Sequence, residues 1–277
     1  MLTSSSSPQS LHTWQWSTWE GLPYLQCSLL DSWEHGFFTQ QFWTRSPAEL
    51  TEVLQPTAQV YRVRQVHGNT VLTTHEIGSQ NRIPDDSQPP ETPSFPQADG
   101  LLTQHTQQAV WVCSADCTPA LIADTRTGQV AAIHAGWRGT AIKILPEAIA
   151  RLQAQGSRLA DLRIALGPAI AGEVYQVAAE VAVAVGSSIA PGEIAAQPEA
   201  LLAWLQHLPD PPVLPDHEPG RVRLDVRRVN ALQLEQLGIN PNQVAIAPHC
   251  TYQQPNYFFS YRRDGLKRVQ WSGIVSR

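Results

Sequence analysis

The run Val130-Ala131-Ala132-Ile133-His134 does most to limit what this chain can fold into. An apolar stretch this short, closed by an imidazole and followed by Gly136-Trp137-Arg138-Gly139, reads as a buried strand that delivers a polar side chain to a tight turn. Comparable layouts recur upstream. Residues 109–113 and 120–123 are short apolar runs broken by Ser114-Ala115-Asp116, and Gln65-Val66-His67-Gly68 ends the strand-like stretch 59–66. His67, Cys117 and His134 thus each stand where a strand runs out into a loop.

Downstream the pattern alternates. Residues 140–155 have helical spacing, with Ile144, Leu145, Ala148, Ile149 and Leu152 on one side, and Pro146 there marks a kink or a new first turn. Residues 162–166 read as a strand ended by Gly167-Pro168, 173–185 and 226–237 as helices, 199–205 as a short helix and 244–247 as a strand. The run 258–261 resumes at 268–271 after the turn Arg262-Arg263-Asp264-Gly265. Strands interleaved with helices imply a mixed α/β (α+β) domain of layered mixed β-sheets flanked by helices. Residues 35–277 are expected to form one domain to which the extension 1–34 belongs, with Pro-rich surface loops near 80–97 and 190–220.

Composition narrows the function classes. Apolar residues make up 42% of the 277, enough for a sizeable core. A net charge of -5 offers no basic footprint for duplex nucleic acid. No stretch approaches ~18 consecutive apolar residues, so no membrane span is expected. The Ser-rich start lacks Lys, Arg and an apolar core, unlike a signal peptide. Four cysteines (Cys27, Cys113, Cys117, Cys250) are too sparse for a secreted disulfide scaffold, and a cytoplasmic protein with free thiols is expected. Nine tryptophans, five of them before residue 44, have no account in composition alone.

Cys117 and His134 are 17 residues apart, and His67 lies 50 before Cys117, which are not structural zinc-knuckle spacings. Cys113 and Cys117 would stand ~13 Å apart on extended backbone at ~3.3 Å per residue, too far to share an ion unless residues 114–116 turn sharply; Cys113 reads as a buried strand residue. Three separated ligands leave a fourth position open, the arrangement of a catalytic zinc. The same residues also permit a Cys117 nucleophile with His134 or His67 as base. Arg138 precedes a helix start, and Arg262 and Arg263 sit among aromatic residues; guanidinium forks of this kind suit phosphate or carboxylate. Tyr175 follows the Gly167-Pro168 junction and faces a candidate ligand loop. Asp99 reads first as a turn residue, and it or Asp116 could instead act as acid or base, or orient a ligand histidine.

Taken in order, Gln65-Val66-His67-Gly68, Ala98-Asp99-Gly100-Leu101, Ala115-Asp116-Cys117-Thr118-Pro119, His134 to Gly139, Leu166-Gly167-Pro168, and Cys250 to Gly265 resemble the YfiH family, also called the polyphenol oxidase or laccase-domain family. The resemblance runs from about His35 to the C-terminus. It implies a CNF1/YfiH-like fold, grouped with cysteine hydrolases, and a zinc site at His67, Cys117 and His134, with Cu2+ as the other metal ascribed to the family. It implies purine nucleoside phosphorolysis (adenosine, inosine, guanosine, methylthioadenosine) with adenosine deamination; copper-dependent phenol oxidation and cysteine or zinc amidase editing of peptidoglycan precursors are the alternatives. Partners are then a nucleoside and phosphate, with the protein a monomer or weak homodimer. The chain departs from the family pattern where Gln40-Gln41-Phe42-Trp43 replaces an Arg and a Gly-Gly-Val-Ser loop, at Ala171, and at His249.

Overall fold

The computed structural model describes residues 13–78 and 95–277, and its strands fall into three sheets. In chain order the strands are β1 (Trp14–Trp19), β2 (Leu22–Cys27), β3 (His35–Phe38), β4 (Gln59–Arg62), β5 (Val71–Thr73), β6 (Gly100–Leu102), β7 (Gln108–Ser114), β8 (Thr118–Asp124), β9 (Val130–Ala135), β10 (Leu162–Leu166), β11 (Gln176–Ala178), β12 (Val213–Pro215), β13 (Arg221–Leu224), β14 (Val244–Ile246) and β15 (Gln270–Val275). The helices are α1 (Pro47–Leu54), α2 (Thr74–Ile77), α3 (Trp137–Ala141), α4 (Ile144–Ala154), α5 (Ala179–Gly186), α6 (Gly192–Ala195), α7 (Pro198–Gln206), α8 (Val226–Gln236) and α9 (Tyr261–Asp264). The first sheet has the order β1-β2-β3-β15-β7-β4, the second β14-β10-β8-β9-β6-β5, and the third β11-β13-β12.

Side-chain alternation explains why the central strands read as unbroken apolar runs. In β8, Leu121 and Ala123 enter a core shared with Val110 and Val112 of β7, so the two large sheets face each other. Ala120 and Ile122 point the other way, onto Leu145 and Ile149 of α4 and Leu234 of α8. The outer face of the first sheet packs Trp111 against Phe38, Phe42 and α1. Trp111 is fully buried and its indole N–H donates to Thr51 Oγ1 at 3.0 Å; removing such an aromatic surface from water contributes on the order of 2–3 kcal/mol. The third sheet closes its own core with α5 and α7. The layered mixed α/β architecture expected from the sequence is therefore present.

Several local expectations are corrected. The 140–155 stretch splits into α3 and α4 at Lys143, whose φ of 63° is left-handed, and Pro146 occupies the first turn of α4. Residues 173–185 are not one helix: a 3-10 turn at Gly172–Val174 leads into β11, which pairs with β13, before α5 begins. The reason is tertiary, since Val177 is buried in the third core through that pairing. Residues 258–261 form no strand; Ser260 caps α9 instead, and β15 starts at Gln270. The strand expected over 59–66 stops at Arg62. The 190–220 region holds the expected short helix as α7 and adds α6 and β12, whereas most of the loop expected at 80–97 lies outside the described residues. The β1–β2 hairpin accounts for three of the unexplained tryptophans, Trp14, Trp16 and Trp19, and joins residues 14–27 to the first sheet. Among the described residues no helix is long and apolar enough to cross a membrane.

Candidate metal centre

Strand direction brings the ligand residues together. β4 and β7 run parallel, so the loops that leave them emerge at the same edge and both cross to the second sheet, one carrying His67 and the other Cys117. β8 and β9 are antiparallel with Pro119 opposite His134, which brings the end of β9 beside Cys117. One ligand atom from each of His67, Cys117 and His134 lies within 4.8 Å of the others, and the two imidazole centroids are 4.9 Å apart. Among the described residues this is the one group of three or more His, Cys, Asp or Glu side chains able to share an ion.

Two glycines make the approach possible. A Cβ on Gly136 would stand 2.7 Å from the Cys117 sulfur, and one on Gly139 would stand 2.9 Å from the Gly68 carbonyl oxygen. Any side chain at either position would push the ligand loops apart.

Asp99 organises both histidines. It is fully buried at the start of β6, and its Oδ1 accepts the His134 Nδ1–H and the His67 backbone N–H, each at 2.9 Å. Its Oδ2 accepts the backbone N–H of Gly68 at 2.7 Å and of Val66 at 3.2 Å. Because the carboxylate only accepts, the proton of His134 lies on Nδ1, leaving Nε2 as the donor atom for an ion. The three amides wrapped on Asp99 also stabilise His67 in its left-handed conformation, φ 62°. Asp99 is thus more than a turn residue. Burial would raise its pKa, but the His134 ring and the Gly68 and His67 amides bring it below the ordinary carboxylate value.

The thiol is unusual too. Burial alone would raise the Cys117 pKa, yet His134 and His67 bring it down to about 6. His134 rises to about 9 against its own burial, because the Cys117 and Asp99 charges face it. Cys117 and His134 therefore form a thiolate–imidazolium pair at neutral pH. Cys113, at the end of β7 and outside the ligand cluster, is pushed by burial up to about 12 and stays a thiol.

These groups floor a cavity of about 570 Å³, the size of a small-molecule site. Trp137 and Arg138 of α3 flank the floor, and Arg138 stacks 4.3 Å from the Trp137 ring centroid. Among the described residues the Arg138 guanidinium makes no hydrogen bond or ion pair, so its donors are available. Arg262 also lines the cavity, 4.7 Å over the Tyr175 ring, with Nη1 donating to the Gln176 carbonyl at 2.6 Å. Arg263 does not line the cavity, contrary to expectation: its guanidinium donates to the carbonyls of Thr251, Tyr252 and Phe258 and pairs with Asp264, which fixes the preceding turn. Tyr261, one of the aromatic residues beside the two arginines, lines the cavity, and so do Lys267 and Arg268, which no sequence motif singled out. They belong there because β15 pairs Gln270 with Ser114, bringing the segment before β15 to the same edge. The divergent segment at Phe42 and Trp43 lines a separate cavity of about 310 Å³, which Arg62 also borders.

Residues 44–275 match the family model described as multi-copper polyphenol oxidoreductase laccase. The chain is similar to a purine nucleoside phosphorylase of Synechocystis, at 51% identity over 95% of this chain and 97% of that protein. It is also similar to a purine nucleoside phosphorylase of Mycobacterium tuberculosis, at 31% identity over 76% of this chain and 69% of that protein. Among solved structures, YlmD from Geobacillus stearothermophilus matches with a TM-score of 0.75 and 24% identity over 94% of this chain and 98% of that one, a likeness of fold.

Proposed function

The chain belongs to the multi-copper polyphenol oxidoreductase laccase family, the YfiH family of the sequence motifs, and from that membership we propose that it is a zinc-dependent purine nucleoside phosphorylase. The observation that carries the reading is the convergence of His67, Cys117 and His134 on the floor of a cavity also lined by Arg138, whose guanidinium has no hydrogen-bond or ion-pair partner among the described residues. Two imidazoles and one thiolate, with the cavity on their open side, fit a zinc ion with one exchangeable position. Bound zinc would supply Lewis acidity at the cavity floor.

The protein's own residues supply the rest. Arg138 and Arg262, which both line the cavity, hold phosphate and orient it toward the ribose C1′. One phosphate oxygen forms a bond to C1′ as the C1′–N9 bond breaks; the purine leaves with the electron pair and takes up one proton. Trp137, Tyr175 and Tyr261 offer aromatic faces for the purine and exclude water around it. Adenosine, inosine, guanosine and methylthioadenosine are the substrates of this reading, and deamination of adenosine at C6 is its side activity. The four cysteines are all free, which suits the cytoplasm.

Incubating the protein with inosine or adenosine, with and without phosphate, tests the proposal; free base and ribose 1-phosphate should appear together, and only with phosphate. Zinc-loaded protein that yields neither product removes it. Elemental analysis separates zinc from copper. Phenol oxidation by several coppers would need further ligand sets, and the described residues provide this one. A Cys117 nucleophile acting on an amide uses the same thiolate–imidazolium pair and would survive chelation, whereas the phosphorylase would not.

A further inference from the structure

We propose that Asp116 is a positioning residue that keeps the Arg262–Tyr175 wall in register with the Cys117 donor, and thereby sets affinity for the anionic substrate. This rests on the reading of Arg262 as part of the substrate wall.

Asp116 immediately precedes Cys117 and has a left-handed backbone, φ 88°, which a non-glycine residue keeps only when its surroundings hold it there. The holding bonds reach far along the chain. Its carbonyl accepts the Ile170 N–H at 3.0 Å. Its Oδ1 accepts the Thr251 hydroxyl at 2.7 Å, across 135 residues, and its Oδ2 accepts the Arg262 backbone N–H at 2.7 Å, across 146. Thr251 is fully buried, so water does not compete for the first of these bonds.

Arg262 sits in α9, a helix of four residues that is too short to persist by itself. Two side chains tie its first turn: Ser260 Oγ accepts the Arg263 N–H at 3.2 Å, and Asp116 accepts the Arg262 N–H. From that turn the Arg262 side chain reaches the Gln176 carbonyl and covers Tyr175. Asp116 is therefore the link between the ligand loop and the Arg262–Tyr175 wall of the cavity. The histidine donors are organised independently by Asp99, and Cys117 is followed at once by β8, whose Thr118 pairs with Ala135, so loosening Asp116 leaves the ligand set in place while the guanidinium drifts.

Three variants separate the contributions. Asp116→Gly relieves the backbone conformation and removes both carboxylate bonds; Asp116→Asn tolerates the left-handed backbone but turns one acceptor into a donor; Thr251→Val removes only the Oδ1 bond in a side chain of similar shape. Metal content, kcat and KM for inosine and phosphate, calorimetric phosphate binding, and native-state tryptic cleavage after Arg262 and Arg263 are measured for each. Metal content is expected to match the wild type. KM and Kd for phosphate should rise about 10-fold in Asp116→Gly and Asp116→Asn, and less in Thr251→Val, with kcat within about 3-fold and faster tryptic cleavage. Wild-type KM and tryptic resistance in folded variants would overturn the inference, as would a loss of metal parallel to the loss of affinity. A wild-type protein that neither binds phosphate nor splits nucleosides overturns the phosphorylase reading, and this inference with it, whereas wild-type activity with unresponsive variants sinks this inference alone.

Discussion

The floor of the cavity and its Arg262 wall are built by different means. Most of the floor is set by strand register: His134 is the penultimate residue of β9, Cys117 precedes β8, and Asp99 precedes β6, so three paired strands of one sheet fix their relative positions, and Asp99 in turn holds the His67 loop through three backbone amides. The Arg262 wall comes from the segment 261–269, where Tyr261, Arg262, Leu266 and Lys267 are exposed and the only helix is one turn long. A register cannot drift by a fraction of a residue, whereas a loop held by a few hydrogen bonds can. The floor is suited to holding an ion at fixed geometry, and the wall to accommodating different substrates.

Substitutions can break that contrast. The largest effect is expected from Cys117→Ser, which replaces a thiolate by a hydroxyl that stays protonated at neutral pH; metal retention and kcat/KM should both fall by more than about 100-fold, exceeding the usual loss from an outer-shell partner. Elemental analysis and steady-state kinetics read both. Asp99→Asn comes next. It keeps the shape but offers an amide to four donors, and metal affinity should fall by roughly 10–100-fold in a competitive chelator titration.

Acidity probes the same floor. Between about 6 and about 9 the Cys117–His134 pair holds its proton on the imidazole. An ion takes the thiolate and the neutral ring, so binding releases that proton. The pair therefore makes apparent metal affinity rise about tenfold per pH unit across this window and level off above it. A buffered zinc titration at several pH values checks the slope. Arg138→Ala should be milder still: KM for phosphate rises about 10-fold with metal content unchanged. Arg263→Ala completes the contrast, lowering the melting temperature while KM stays within about 2-fold, because its donors serve backbone carbonyls.

The sequence revealed the floor better than the wall for a physical reason. His67 and His134 lie in short motifs with a neighbouring glycine, as in Ile133-His134-Ala135-Gly136, and Cys117 stands just before an apolar run that reads as a strand. Even so, Asp99 looked like a turn residue, since its four donors come from loops that only the fold brings to it. Arg262 and Arg263 are neighbours of identical type, and which of them meets carbonyls of its own turn depends on where the chain bends. Lys267 and Arg268 reach the cavity through the pairing of β15 with β7, and no local pattern encodes that partner choice. The segment 173–185 failed similarly, because pairing with β13 overrode a helical-looking stretch.

Asp99 has a bearing on how protons travel. A carboxylate offers about four lone-pair directions, and four N–H groups already occupy those of Asp99. The acid nearest the floor is thus saturated as an acceptor and is no candidate for general base. In the phosphorylase reading, the proton taken up by the departing purine therefore does not pass through Asp99.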